Sequence, residues 1–240
     1  VVALITAIRA VSHDWDGTLA ECPAWSPKDG DLLVVAAHPD DEVRGAGGLI
    51  HASVARGARV RVLSVSDGET LDPRCCALAS ARREELNDAL RKLCPKHVAV
   101  TRLGLPLGKI SRHHNRLRNA LLSLASGQVT LVAPNERAVH PDHEAVGRVC
   151  VEFARAQGIA LARYGIGQYG IGSGQPAPDS TARESAARWV KFVLTDDATR
   201  AKARAVQCFR ARSASRRGRS ASPVEAPPQA ADRAYETFLV

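Results

Sequence analysis

The sequence predicts an α/β fold: a doubly wound, mostly parallel sheet followed by a smaller, irregular C-terminal region. Three observations predict it. Continuous apolar runs, not alternating ones, recur at Leu32–Ala37 and Val129–Ala133, as expected of strands covered on both faces. Stretches of helical length and pattern separate the strand-like runs across Leu32–Gln157. A chain of 240 residues with 45% hydrophobic content suits one domain with a substantial core.

The elements follow in order. Residues 1–30 read as an extension packed on the core, a leading helix and then a polar loop ending at Ser26–Asp31. Leu32–Ala37 is a central strand, Gly45–Gly48 opens a helix that runs to about Ala55, Gly57 ends it, and Arg59–Ser66 is the next strand. Such a β-α-β unit has a right-handed crossover. A helix over Ser80–Leu93 presents Leu86, Leu90 and Leu93 on one face; Val98–Leu103 is a strand and Gly104–Gly108 a loop. Leu117–Ala125 reads as helix, Val129–Ala133 as strand, and Pro141 suits the first turn of a helix reaching Gln157. The core so defined spans 31–175. Residues 176–240 form the C-terminal part of the same domain, with a helix near Asp197–Gln207, a basic loop and a closing edge strand at Tyr235–Val240.

Charge and cysteine usage narrow the classes. The formal charge of +8 gathers partly at Arg210, Arg212, Arg216, Arg217 and Arg219, interleaved with serine. That run reads as a solvated loop, so no nucleic-acid partner is expected. The six cysteines show no CxxC pair, which suits reduced thiols and a cytoplasmic protein. Val1–Ile8 is too short and too closely followed by Arg9 and His13 for a secretory leader, and nothing approaches the roughly 20 apolar residues of a membrane span.

Two segments carry chemistry. Val34–Ala37 breaks into His38-Pro39-Asp40-Asp41-Glu42, and about 100 residues later Leu131–Pro134 leads to His140-Pro141-Asp142-His143-Glu144. Ligands of an open α/β sheet bind at the carboxyl ends of its strands. A spacing of three lets His38 and Asp41 face one crevice, and His143 can approach from the second strand end. Two histidines and a carboxylate leave positions open for water, as in catalytic zinc sites. Asp40 is then available as a base and His140 as a hydrogen-bond or proton donor. The bland alternatives are a capped strand end at His38 and helix capping at His140–Glu144. Gly45-Ala46-Gly47-Gly48 is not a GxGxxG nucleotide fingerprint, because Ile50 stands at the last glycine position.

These residues carry a resemblance. Ala37–Glu42 followed by Gly45–Gly48 resembles the first motif of the PIG-L/LmbE-like zinc deacetylases, and His140–Ala145 resembles their second. Ser66-Asp67-Gly68-Glu69 and Arg82–Leu86 resemble two weaker family elements. The resemblance implies a Rossmann-like fold and a zinc-dependent hydrolase that removes an N-acyl group, usually acetyl, from a glucosamine-containing conjugate. It assigns the zinc (Zn2+) ligands to His38, Asp41 and His143, and the base to Asp40. His140 falls at the oxyanion or leaving amine, oriented by Asp142, and Arg82 matches a substrate-contacting arginine. Leu107 stands where the family often has aspartate, and the glycine-rich Tyr164–Gly174 lacks the bulky aromatics of related bacterial proteins. Those departures imply an open mouth that accepts a large conjugate. The alternatives are a zinc amidase acting on a larger amide or thiol conjugate, and a non-catalytic carbohydrate- or nucleic-acid-binding relative.

Overall fold

The structure is a computed structural model that describes residues 21–68, 76–94, 98–138, 140–165, 188–209 and 234–240. The expected leading helix, Glu69, the glycine-rich run from residue 166, the proline-rich 175–180 and the basic run at 210–222 lie outside the described residues.

Five parallel strands form the heart of the sheet: β1 (Asp31–Ala36), β2 (Val60–Ser64), β3 (Ala99–Arg102), β4 (Val129–Pro134) and β5 (Ala160–Tyr164). Helices α1 (Asp41–Ala55), α2 (Cys76–Leu93), α3 (His114–Leu124) and α4 (Pro141–Gln157) connect them. Then β6 (Trp189–Val193), α5 (Asp196–Val206) and β7 (Tyr235–Leu239) complete a seven-stranded sheet of order β3-β2-β1-β4-β5-β7-β6.

Burial explains the continuous apolar runs. Successive side chains of a strand point to opposite faces, and both faces of β1 are covered. Leu32 and Val34 pack with Leu49 and Ile50 of α1, Leu86 and Leu90 of α2, and Ala201 of α5. Leu33 and Val35 pack with Leu117 and Leu121 of α3 and Val146, Cys150 and Phe153 of α4. Strand order reverses between β1 and β4, which pair in parallel with each other. A crevice therefore opens at their carboxyl ends, where His38 and His140 stand.

Several expectations need correction. Helix α1 begins at Asp41, not Gly45, and Ala46 has non-helical φ/ψ (−143°, 19°), so the expected start marks only its second segment. The N–H groups that this break exposes are satisfied from afar. Gly48 and Leu49 N–H donate to Glu236 Oε1 and Oε2 at 2.7 and 2.9 Å, and buried Lys202 pairs with the same carboxylate at 2.6 Å. Helices α2 and α3 begin at Cys76 and His114, earlier than Ser80 and Leu117. Strand β7 is not an edge: it lies antiparallel between β5 and β6, and β6, absent from the sequence reading, takes the edge. The C-terminal part is thus integral to the sheet. Among the described residues no helix is long and apolar enough to cross a membrane, and Cys22, Cys94, Cys150 and Cys208 are free thiols.

Candidate metal centre

The β1–α1 junction is built from groups that local structure alone would not bury. Asp40, Asp41 and Glu42 are fully buried and His38 nearly so. His38 N–H donates to Asp41 Oδ2 at 2.9 Å, which folds the Asp41 carboxylate back under the strand end. Asp40 precedes the helix with φ 105° and ψ −24°, the one described residue other than glycine at positive φ. Its side chain does not cap the helix. Instead Asp40 Oδ2 accepts from Arg44 Nε at 2.9 Å, one turn on, while its N–H donates to Glu42 Oε1 at 3.3 Å. A Cβ on Gly45 would collide with the Tyr164 ring, so glycine is required for α1 to close onto β5. The Tyr164 hydroxyl donates to Val35 O at 2.6 Å and anchors that ring beneath β1.

The β4–α4 junction is locally regular. His140 is the N-cap residue with extended φ/ψ (−75°, 122°), and its Nδ1 accepts from Asp142 N–H at 3.2 Å. Pro141 opens the helix, Asp142 and Glu144 favour its positive end, and Gly158 at φ 64° closes it. With Nδ1 accepting, the His140 proton resides on Nε2, free to be donated outward.

The two junctions meet. The His38, His140 and His143 rings lie 4.8, 5.2 and 5.0 Å apart pairwise, and each can offer a nitrogen within 4.8 Å of the others. Asp41 Oδ2 sits 3.0 Å from His143 Nε2 and 3.8 Å from His38 Nδ1. Asp142 takes a different part from the expected one. Its carboxylate bonds His38 Nε2 at 3.0 Å, and only its backbone N–H reaches His140. The reason is register: as the second helical residue, Asp142 turns its side chain toward β1 while its N–H faces the cap. Gly108 and Ile110 N–H donate to the same carboxylate at 2.8 and 3.4 Å, tying the loop after β3 to the centre.

Electrostatics separate these acids. Burial alone would raise the Asp41 pKa. The charge and hydrogen bond of His143, with the charge and N–H of His38, outweigh it and hold the carboxylate well below its usual range. Burial likewise opposes ionisation of Asp142, but hydrogen bonds from His38 and Gly108 lower its pKa overall. Glu42 goes the other way. Burial first, then the charges of Asp41 and Asp40, push its pKa well above the usual carboxylate value, which favours its protonated form. Burial and the neighbouring His38 and His143 lower the pKa of His140, which favours its neutral form.

This donor set fits a divalent transition metal. Imidazole nitrogens and a carboxylate oxygen converge, Asp41 stays ionised, and its Oδ1 is buried without a hydrogen-bond partner, a costly arrangement that a cation would relieve. Asp142 behind His38 supplies the carboxylate–histidine pairing that fixes which imidazole nitrogen faces the ion.

Of the other expected residues, Arg82 lies against the turn after β2, where a Cβ on Gly68 (φ 88°) would collide with its Nη1. Leu107 is exposed in the loop that Asp142 holds. Sequence reasoning gave no role to Arg44, although its i+4 spacing from Asp40 signals a pair on one helix face. It also passed over Gly108 and Ile110, whose contribution is through backbone N–H and leaves no side-chain signature.

The site and fold find counterparts among known proteins. The family model described as "PIG-L: GlcNAc-PI de-N-acetylase" matches residues 33–154, and the chain belongs to this family. A 1D-myo-inositol 2-acetamido-2-deoxy-alpha-D-glucopyranoside deacetylase of Nocardia farcinica is 31% identical over 160 residues, 55% of this chain and 54% of that protein. The chain therefore spans about half the length of that relative. A protein of the same description from Mycobacterium sp. (strain KMS) is 27% identical over 236 residues, covering 82% of this chain and 73% of the other. In fold, the chain resembles a deacetylase solved as a teicoplanin complex (TM-score 0.62, 16% identity, 87% and 97% of the two chains). It also resembles a conserved protein of Thermus thermophilus (TM-score 0.54, 26% identity, 78% and 82%).

Proposed function

We propose that this chain is a zinc-dependent N-deacetylase acting on a glucosamine-containing conjugate. The observation that carries the reading is the convergence of three histidines and Asp41 from two strand ends, beside buried Asp40, in a member of the PIG-L family. Relatives described as deacetylases of an acetamido-glucopyranosyl inositol support the substrate class. A cytoplasmic location belongs to the same reading, supported by free buried thiols such as Cys94, whose pKa burial pushes up to about 12.

His38, Asp41 and His143 would hold the zinc. Bound there, the ion would polarise the amide carbonyl and acidify the attacking water. Asp40 takes the water proton as the new C–O bond forms. Arg44 Nε on Asp40 Oδ2 fixes the orientation of that carboxylate. His140, protonated on Nε2, donates a hydrogen bond to the carbonyl oxygen as charge develops on it. Asp40 then returns its proton to the leaving amine as the C–N bond breaks, giving a free amino sugar and acetate. Arg82 contacts the sugar or its substituent in this reading.

The test is direct. Zinc-loaded protein incubated with methyl N-acetylglucosaminide and larger N-acetylglucosaminyl conjugates should release primary amine and acetate in equal amounts. Release from peptide amides but not from these conjugates would favour an amidase, and no release from either would sink the enzymatic reading.

A further inference from the structure

Strand β7 buries a charge among hydrocarbon. Phe238, two residues on and so on the same face as Glu236, joins the apolar cluster of Leu32, Leu49 and Ala201. Glu236 is buried nonetheless, paired at 2.6 Å with equally buried Lys202 of α5. Stability alone does not explain such a pair, because apolar side chains of similar volume often replace a buried ion pair without loss. Its place in the fold does. Glu236 accepts from Gly48 and Leu49 N–H, 188 and 187 residues earlier in the chain. Those N–H groups open the segment of α1 that follows its break at Ala46. Gly47 and Gly48 permit the close approach: a Cβ on Gly48 would collide with Leu194, and one on Gly47 would lie 3.3 Å from Lys202 Cγ.

The break decides where the first turn of α1 points. In an unbroken helix Gly48 and Leu49 N–H would take the carbonyls of Arg44 and Gly45, one turn back. A carboxylate at the start of the second segment competes for them, and the positive end of that segment favours its charge. Ala46, at φ −143° and ψ 19°, departs from helical dihedrals by about 80° and 60°, which swings Asp41–Arg44 away from the line of the remaining helix. That turn carries Asp41, the carboxylate of the metal centre, and Arg44, which bonds Asp40. Straightening α1 would re-aim both.

We infer that Glu236, set by Lys202, is a positioning residue of the metal centre: its carboxylate holds α1 in the broken form that aims Asp41 at the ion. The role rests on the zinc reading of the centre but not on the hydrolytic step, so the two can fail separately. Coupling between two sites is reciprocal. Glu236 therefore raises zinc affinity by the same factor by which zinc favours the docked form of β7.

Two variants separate positioning from plain support of the fold. Zinc affinity is read by competition with a chromophoric chelator, and stability by thermal unfolding of the same preparations. Lys202→Met keeps the carboxylate on Gly48 and Leu49 but leaves it unpaired, so the protein should lose stability and keep its zinc affinity. Lys202→Met/Glu236→Leu removes both charges and the acceptor. It should regain stability and yet bind zinc roughly tenfold more weakly. A pair that only supported the fold would make affinity follow stability or leave affinity unchanged in both variants, and either result would overturn the inference. Wild-type protein supplies a test that needs no variant: zinc should slow amide exchange in β7 more than in β3. Equal slowing of the two strands would also overturn it. Opposed changes in affinity and stability, without amine release from any N-acetylglucosaminyl conjugate, would keep the positioning role and sink the deacetylase reading. A wild-type chain that binds no zinc would sink the metal reading and this role with it.

Discussion

The two strand ends that meet at the centre are made in opposite ways. At the β4–α4 junction every local rule is kept: proline opens the helix, acids favour its positive end, and glycine in the left-handed region closes it. At the β1–α1 junction the rules are broken: Asp40 holds φ 105°, three consecutive carboxylates are buried, and α1 kinks at Ala46. Residues of the first junction serve folding and the site together. Those of the second are tolerated because the site needs them, and distant groups such as Tyr164 and the Lys202–Glu236 pair hold them in place.

The largest effects should come from the atoms that face the ion and the reaction. His143→Ala should abolish stoichiometric zinc binding, read by metal analysis after dialysis. Asp40→Asn should retain the zinc while lowering kcat by about 10²–10⁴-fold. Zinc lost from Asp40→Asn, or turnover left near wild type, would reassign the division between ligands and base.

This contrast also explains what the sequence made legible. The two motifs announced the centre because histidine and aspartate at the ends of buried strands are costly without a purpose. The parallel core was legible because its strands are covered on both faces and so read as unbroken apolar runs. Strand β6 was not, since Trp189-Val190-Lys191-Phe192-Val193 lies at the sheet edge, where Lys191 is admissible and burial is partial. Nor could spacing along the chain reveal that the Asp142 carboxylate bonds His38 while only its N–H bonds His140, because the His38 contact joins residues 104 apart.

Asp142 offers the intermediate test, since it links the regular junction to the strained one. Asp142→Asn keeps the N–H that bonds His140 but removes the charge behind His38. Zinc affinity or activity should fall about 10–100-fold. A variant unchanged in both would mean that the His38–Asp142 bond fixes nothing at the metal.

The smallest effect isolates backbone strain. Asp40→Ala and Asp40→Gly both delete the carboxylate and its bond to Arg44, and differ only in the Cβ that must be accommodated at φ 105°. Asp40→Gly should therefore be the more stable by about 1–3 kcal/mol in denaturant unfolding, although neither variant turns over substrate. The same pair of substitutions at Glu144, in the first turn of α4, should reverse the order. Helical backbone accepts alanine there, while glycine costs about 0.5–1 kcal/mol relative to it. An equal ranking at the two positions would mean that Asp40 is not strained, and that the two junctions differ in chemistry but not in conformational cost.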